Sequence, residues 1–474
     1  MLTKSILLGV GLTSVAVYLG LVGFLRLSDT TPPRITLETP FTRVGPSTPL
    51  ALSIEDQETG LRDVSIRIMQ NMETFSLVTR QFPSHGPFSL QAGREHTFHI
   101  ELTPFATETI PRRRGPATLI VTARDYSWRG FFEGNWQRLE QAFTVKFTPP
   151  RLEVATLPPS MQQGGSGVVQ YHVSQDAIRS GVQIGEAFFP GYSLPDEFTY
   201  FALIAFPYHL PPETPIQLVA DDGLGNQAVY PLDIPVKARQ WRTRRMTITD
   251  RFIQAIVRPV LANTPDIRET GDPLNDFLEV NNRLRQRNAQ RLRELAAQTQ
   301  PEALWEGPFL QLSHSQVQSA FADHREYLYH GQVVDVQDHL GIDLAVTKRY
   351  PVEAANHGVV IMAEYFGIYG NTIVIDHGYG LQSLYAHLSS FAVNVGDRVR
   401  KGQIIGRSGM TGLAAGDHLH FSLLIHGVQV DPIEWWDPKW VATRISPYLS
   451  PRHSIRSLSP APIGPETKSP PVGF

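Results

Sequence analysis

The chain has 474 residues, 42% apolar and 18% charged, with a formal net charge of −3 and no cysteine. That length can bury several cores, about three or four domains, and the balanced charge gives no sign of a polybasic nucleic-acid binder. Without cysteine there are no disulfides, no thiolate metal site and no lipid-modified cysteine. From Ser5 to Leu25 run 21 uncharged residues between Lys4 and Arg26, enough at about 1.5 Å per residue to cross a hydrocarbon core of about 30 Å. We read residues 1–30 as a single-pass membrane anchor. The rival is a cleaved signal peptide with Ser14-Val-Ala16 as its small-x-small site, but the apolar run continues well past that point.

Residues 31–240 show a faint internal repeat. Thr31-Pro-Pro-Arg-Ile-Thr-Leu-Glu38 recurs 117 residues later as Thr148-Pro-Pro-Arg-Leu-Glu-Val154. Short alternating segments follow each copy, among them Leu50-Ala-Leu-Ser-Ile54, Val64-Ser-Ile-Arg-Ile68 and Val168-Val-Gln-Tyr-His-Val173. Each copy also ends near a strand and turn, Val121-Thr-Ala-Arg-Asp125 and Val219-Ala-Asp-Asp-Gly-Leu-Gly-Asn226. Short strands with Gly, Pro and Asp turns predict an immunoglobulin-like β domain over 31–147 and a second β-sandwich-like domain over 148–240. They suit a stiff spacer, with docking of protein partners as the alternative. The run Arg239-Gln-Trp-Arg-Thr-Arg-Arg245 reads as the solvated face of a linker.

Residues 241–302 switch to a helical pattern. Asp276-Phe-Leu-Glu279 resembles a capping box, and Val280, Leu284, Leu292, Leu295 and Ala296 form an apolar stripe that stops before Pro301. Lying just before the segment richest in chemistry, this linker is a candidate cover for a substrate groove; no gain of activity on deleting 250–300 would count against that role.

In residues 303–437 the histidines fall into patterns. His339-Leu-Gly-Ile-Asp343 holds an imidazole and a carboxylate four positions apart. In a straight strand their Cα atoms would lie about 13 Å apart, too far to share an ion with bonds of about 2 Å, so the backbone must bend at Gly341. In Ser383-Leu-Tyr-Ala-His-Leu388, alternation puts Leu384, Ala386 and Leu388 in the core and Ser383, Tyr385 and His387 on the opposite face. In His418-Leu-His420 both imidazoles share a face, while Leu419, Phe421, Leu423 and Ile425 pack the other way. Three ligands emerge: His339, Asp343 and one histidine of the later pair. Two histidines and a carboxylate also describe the facial triad of non-haem iron oxygenases, but the four-residue spacing argues against it. His377, before a turn, reads as structural or groove-lining, and the tail 438–474 is Pro/Ser-rich and read as disordered from about 450.

His339-x-x-x-Asp343, Tyr385-Ala-His387-Leu and Gly416-Asp-His418-Leu-His420-Phe, in this order, resemble the lysostaphin or LytM-type zinc endopeptidases that cut bacterial cell-wall peptidoglycan. The intervening turns also fit: Gly378-Tyr-Gly380, Val395-Gly-Asp-Arg-Val399, Gly402-Gln-Ile-Ile-Gly406 and Gly409-Met-Thr-Gly412. Met410 departs from the small polar residue more usual there. The resemblance implies an antiparallel β peptidase domain over 303–437, in a chain that is mainly β overall. It implies that His339, Asp343 and His420 bind zinc (Zn2+), and that His387 and His418 act beside the open coordination position. There is no His-Glu-x-x-His helix to supply a glutamate base. The expectation is a zinc metalloprotease held in the cytoplasmic (inner) membrane, its catalytic domain on the periplasmic side, acting on peptidoglycan peptide stems and not on nucleic acid. The alternative from another class is a non-catalytic wall-binding protein or a regulator of another cell-wall hydrolase.

Overall fold

The uncharged run at the amino end forms one helix, Leu2–Ser28, within which Val10–Ser28 is long and apolar enough to cross a membrane. These elements come from a computed structural model that describes residues 2–106, 110–195 and 199–449, with side chains from residue 10 onward. The expected disorder from about 450 lies outside the described residues; before it, helix Pro438–Arg444 and a 3-10 turn Ser446–Tyr448 occupy the start of the expected tail.

The chain folds as two compact units. The first runs to Glu153 and takes in Val173–Gly181 and Gln217–Pro231; the second holds Val154–His172, Val182–Ile216 and the chain from Leu232 onward. In the first unit the alternating segments become strands of two sheets. A three-stranded sheet orders Arg34–Leu37, Leu50–Glu55 and Thr97–Leu102. A five-stranded sheet orders Arg43–Val44, Trp136–Val145, Gly115–Asp125, Leu61–Gln70 and Glu73–Gln81. Leu50, Leu52 and Ile54 from one sheet and Val64, Ile66, Ile68, Leu119 and Val121 from the other share one core, which makes this a β-sandwich. Lys146 reaches Asp176 and Asp222, each at 2.6 Å, and so ties the two later segments to this unit.

Asp29, Asp56 and Asp125 lie buried together in the first unit. Burial, reinforced by its two acidic neighbours, pushes the Asp56 carboxyl up to about 6. A carboxylate raised in the folded state binds its proton more tightly there than in the unfolded chain. Its contribution therefore falls as pH rises from the unfolded value of about 3.9 to about 6, and stays lost above that. Asp56→Asn removes the charge, so the calorimetric melting transition of this unit should rise at pH 8 by a few degrees, about 1 kcal/mol after solvent screening. At pH 4 the change should be small.

The second unit carries the histidine-bearing segment 303–437. Its largest sheet orders Gln316–Ser319, Ile342–Ala345, His418–Ile425, Leu381–Leu388, Asn371–Asp376, Gly358–Tyr365 and Arg398–Val399, with Val428–Val430 paired beside His418–Ile425. Every pairing along that path is antiparallel. A smaller sheet joins Thr243–Thr247, Asp323–Tyr329 and Gln332–His339. The basic run at 239–245 is therefore more than a solvated face. Arg239 pairs with Asp431 at 2.7 Å, Arg242 and Arg244 reach buried Asp323 at 3.0 and 3.2 Å, and Arg245 reaches Glu326 at 2.9 Å.

The helical segment starts at Asp250, breaks after Ala262 and resumes over 273–296, with π-helical turns at Ile253–Val257 and Glu279–Leu284. The second stretch is capped by Asp272, whose side chain accepts from the Asn275 amide, and not by Asp276. Pro273 at the first helical position suits that start, while Asp276 is buried and accepts from the Thr270 amide and hydroxyl. The stripe does face inward. Val280, Leu284, Leu292 and Leu295 share a core with Val374, Leu384, Ala386 and Leu424, so the helices cover one face of the large sheet.

Candidate metal centre

Register brings the first ligand candidates together. Asp343 lies directly opposite His420 on the neighbouring strand, and Ala386 lies opposite His420 on the other side. His339 closes the strand before, and the chain turns through Leu340 and Gly341 into Ile342–Ala345. Gly341 is needed for space: a Cβ there would stand 2.6 Å from the His420 ring and 2.5 Å from the Ser422 hydroxyl. His339 Nε2 is 2.9 Å from Asp343 Oδ1 and 2.9 Å from His420 Nδ1, and His420 Nδ1 is 3.0 Å from the same carboxylate oxygen.

Protonation of these rings follows from their outer partners. His339 Nδ1 faces the Ala320 carbonyl at 2.9 Å, which can only accept, so Nδ1 carries the proton and Nε2 presents its lone pair. His420 Nε2 meets the Ser422 hydroxyl at 3.0 Å, and that hydroxyl donates to the Leu340 carbonyl at 2.7 Å. Ser422 must then accept from His420, leaving His420 Nδ1 as a lone pair. Burial pushes the His420 ring down to about 4, which keeps it neutral. Two imidazole lone pairs and a carboxylate oxygen thus converge with no donor among them, an arrangement that a cation relieves. The spacing approaches the edge of about 3.3 Å expected for a tetrahedral ion with bonds of about 2.0–2.1 Å, so the donor set fits a divalent ion such as zinc.

Asp343 has a second anchor. Arg325 donates from Nη2 to Asp343 Oδ2 at 3.0 Å, leaving Oδ1 for the cluster. Burial opposes charge on this carboxyl, but the charge and hydrogen bonding of the surrounding imidazoles, when they are protonated, outweigh it and hold the group well below the usual carboxylate range; with the rings neutral, a cation would take over that role. Nothing local marks Arg325 in the sequence, because its tie to Asp343 joins separate strands. Ser422 was within reach of sequence reasoning, since it lies two residues after His420 on the same face.

His387 and His418 stand beside the cluster, their ring centres 4.8 Å apart, with His387 5.8 Å from the His420 ring. His387 Nδ1 donates to the Thr411 carbonyl at 2.8 Å and His418 Nδ1 to the Gly416 carbonyl at 2.7 Å, so in each ring Nε2 is the nitrogen left free of a backbone partner. Burial lowers the His387 ring well below its usual value. At His418 burial also lowers the pKa, but the Asp343 carboxylate, 3.5 Å from Nε2, outweighs it and raises the ring.

Simple alternation does not account for His387. Tyr385 lies opposite Phe421, so that face is the one turned away from His420, and Ser383 and Tyr385 are buried in a second apolar layer. His387 leaves that face because, at φ 60°, it sits in a β-bulge where Ala386 and His387 lie against the single residue Thr372 between the pairs Tyr385–Ile373 and Leu388–Asn371, and this turns the ring toward His418. Such a conformation is uncommon for a residue with a Cβ, and strain of this kind gathers at functional sites. His377 is a satisfied core residue, bonded to the His357 carbonyl at 2.6 Å and the Ser383 hydroxyl at 2.7 Å.

All five predicted residues line one cavity of about 500 Å³, together with Arg244, Phe252, Arg285, Arg325 and Tyr369. Phe252 and Arg285 come from the helical segment, which therefore borders the site. Met410 is half exposed and is absent from the lining residues.

Residues 337–432 match peptidase family M23. The chain is 43% identical over 95 residues to the DD-carboxypeptidase/endopeptidase Mpg of Neisseria meningitidis serogroup B, covering 20% of this chain and 22% of that protein. It is 39% identical over 99 residues to the peptidoglycan DD-endopeptidase ShyA of Vibrio cholerae, covering 21% and 23%. Among solved structures, the catalytic domain of lysostaphin from Staphylococcus simulans aligns at 28% identity over 28% of this chain and 98% of that one, with a TM-score of 0.24. The matched stretch spans less than a quarter of the two curated relatives. The motifs at 339–343, 385–388 and 416–421, set on an antiparallel sheet inside the matched stretch, make this part of the chain a LytM-type domain of peptidase family M23.

Proposed function

We propose that the chain is a membrane-anchored zinc endopeptidase that hydrolyses peptide cross-links of bacterial peptidoglycan on the periplasmic side of the cytoplasmic membrane. The observation that carries this reading is the convergence of His339 Nε2, His420 Nδ1 and Asp343 Oδ1, each within 3.0 Å of the others. His339, Asp343 and His420 would hold the ion. A zinc ion bound by three protein ligands supplies Lewis acidity, bringing the pKa of a water toward about 7 and polarising a carbonyl. Nε2 of His387 or His418, in its unprotonated form, would take the proton from the attacking water, and the same pair would orient the oxyanion and return a proton to the leaving amine. Arg325 and Ser422 would hold the ligands in place.

For the bond cut, the names of Mpg and ShyA support a D,D cross-link. The cavity is in keeping with an acidic stem, since Arg285 lines it bonded to Asn281, with no carboxylate at ion-pair distance among the described residues. The helix Leu2–Ser28 supports the anchor.

The test is to incubate the full chain, in detergent, with purified sacculi, with zinc, with a chelator, and with chelator followed by zinc. Uncross-linked stem peptides identified by mass should appear with zinc, vanish with chelator and return on re-addition. Intact sacculi in the presence of folded, metal-loaded protein would overturn the enzyme reading in favour of a wall-binding or regulatory protein. Ser422→Ala should weaken metal binding about 10–100-fold, read by competition with a chromogenic chelator, because the proton on His420 Nε2 loses its acceptor.

A further inference from the structure

Two loops of the first unit are fastened to the end of the apolar helix. The Arg26 guanidinium is buried and donates to the carbonyls of Gly86, Ser89 and Gln91 in one loop and of Tyr126 before the other, at 3.1–3.4 Å. The Trp128 amide donates to the Arg26 carbonyl at 3.0 Å, and Arg129 Nη1 to the Leu27 carbonyl at 3.5 Å. Asp29, just past the helix, accepts from the Thr59 hydroxyl at 2.6 Å. The helix therefore enters this β-sandwich through a clamped joint and not through a free linker.

The same loops expose apolar side chains that the sandwich does not use. Phe131 is 97% exposed and Phe132 65%, while Phe88 and Leu90 of the other loop are 61% and 44% exposed. Gly130, Phe131 and Phe132 take φ of 57°, 56° and 71° in succession. Two consecutive phenylalanines in the left-handed region are strained, and in water that strain only presents two rings to solvent. A partner that accepts them would account for it.

We infer that the loops at 84–93 and 128–133 form a lipid-facing collar that seats the first β-sandwich on the membrane surface. This rests on the anchor reading of the helix. If the uncharged run Ser5–Leu25 fills a hydrocarbon core of about 30 Å, Arg26 and Leu27 emerge at headgroup depth. Loops bonded to those two residues lie at the same depth, where aromatic rings are favoured, and Arg129 suits the lipid phosphates. Continuity with the apolar helix makes lipid the occupant, in preference to a protein partner.

The chain has no cysteine, so single-cysteine variants of the full protein can carry a nitroxide label in phosphatidylethanolamine/phosphatidylglycerol vesicles. Collision with oxygen, which partitions into lipid, is compared with collision with a water-soluble nickel chelate. Phe131→Cys and Phe88→Cys test the two loops, and Val15→Cys reports on the helix. Met72→Cys, on the hairpin turn beyond the far end of strand Leu61–Gln70, is the aqueous reference about 30 Å along that strand. The expected oxygen-to-nickel ratio is several-fold higher at 131 and 88 than at 72. Equal ratios at 131, 88 and 72, with lipid contact at 15, would sink the collar and leave the anchor standing. Aqueous contact at 15 would remove the anchor and the collar with it. Shielding of 131 and 88 from both reagents would mean a protein contact and would overturn lipid as the occupant.

Discussion

His420→Ala is expected to strip the metal and to cut peptidoglycan hydrolysis by on the order of 10³-fold or more, several kcal/mol of lost charge stabilisation. His420 is opposite Asp343 in register and gives Nδ1 to the cluster at 2.9 and 3.0 Å from its two partners. Alanine leaves His339 and Asp343 as the remaining candidate ligands and leaves the Ser422 hydroxyl without its donor. Metal content by inductively coupled plasma mass spectrometry should fall from about one per chain to near zero, with release of stem peptides falling in parallel. Because the ring is buried, circular dichroism must show that the variant is folded. A folded variant that keeps its metal would remove His420 from the ligand set.

His387→Ala is expected to separate the two readouts: metal retained, turnover reduced by about 10²–10⁴-fold, the range for a lost general acid–base group. The ring stands 5.8 Å from the His420 ring centre, and its Nδ1 is committed to the Thr411 carbonyl. Its bare Nε2 is the group that would move the proton. The backbone complicates the alanine variant, since φ here is 60° and alanine disfavours that region. Asparagine tolerates it better, so His387→Asn separates loss of the imidazole from strain. Both variants should hold the ion and show reduced kcat. Metal loss matching that of His420→Ala in both would overturn the division of roles between the two histidines.

Much of the architecture was legible because it follows from local periodicity. The segments at 50–54, 64–68, 121–125 and 168–173 all lie within strands, since alternation encodes a half-buried strand without reference to the rest of the chain. The buried helical stripe from Val280 to Ala296 was legible for the same reason. The capping residue was not. Asp276 and Asp272 both suit a cap, and the choice turned on Asp276 being drawn inward by Thr270. The basic run 239–245 likewise gave no hint of its carboxylate partners, which lie 79 or more residues away in sequence.

By itself, the sequence determined which side chains could meet an ion and that the backbone had to bend between His339 and Asp343, because ligand chemistry and strand spacing are properties of the local chain. Only the tertiary structure decided which nitrogen of each ring faces inward, since that depends on the Ala320, Thr411 and Gly416 carbonyls and on Ser422. It also decided that His387 abandons the face set by alternation, and that Arg325 and the helical segment border the site. Hydrogen-bond partners and the covering of a sheet face arise from contacts between residues far apart in sequence, and no local pattern encodes them.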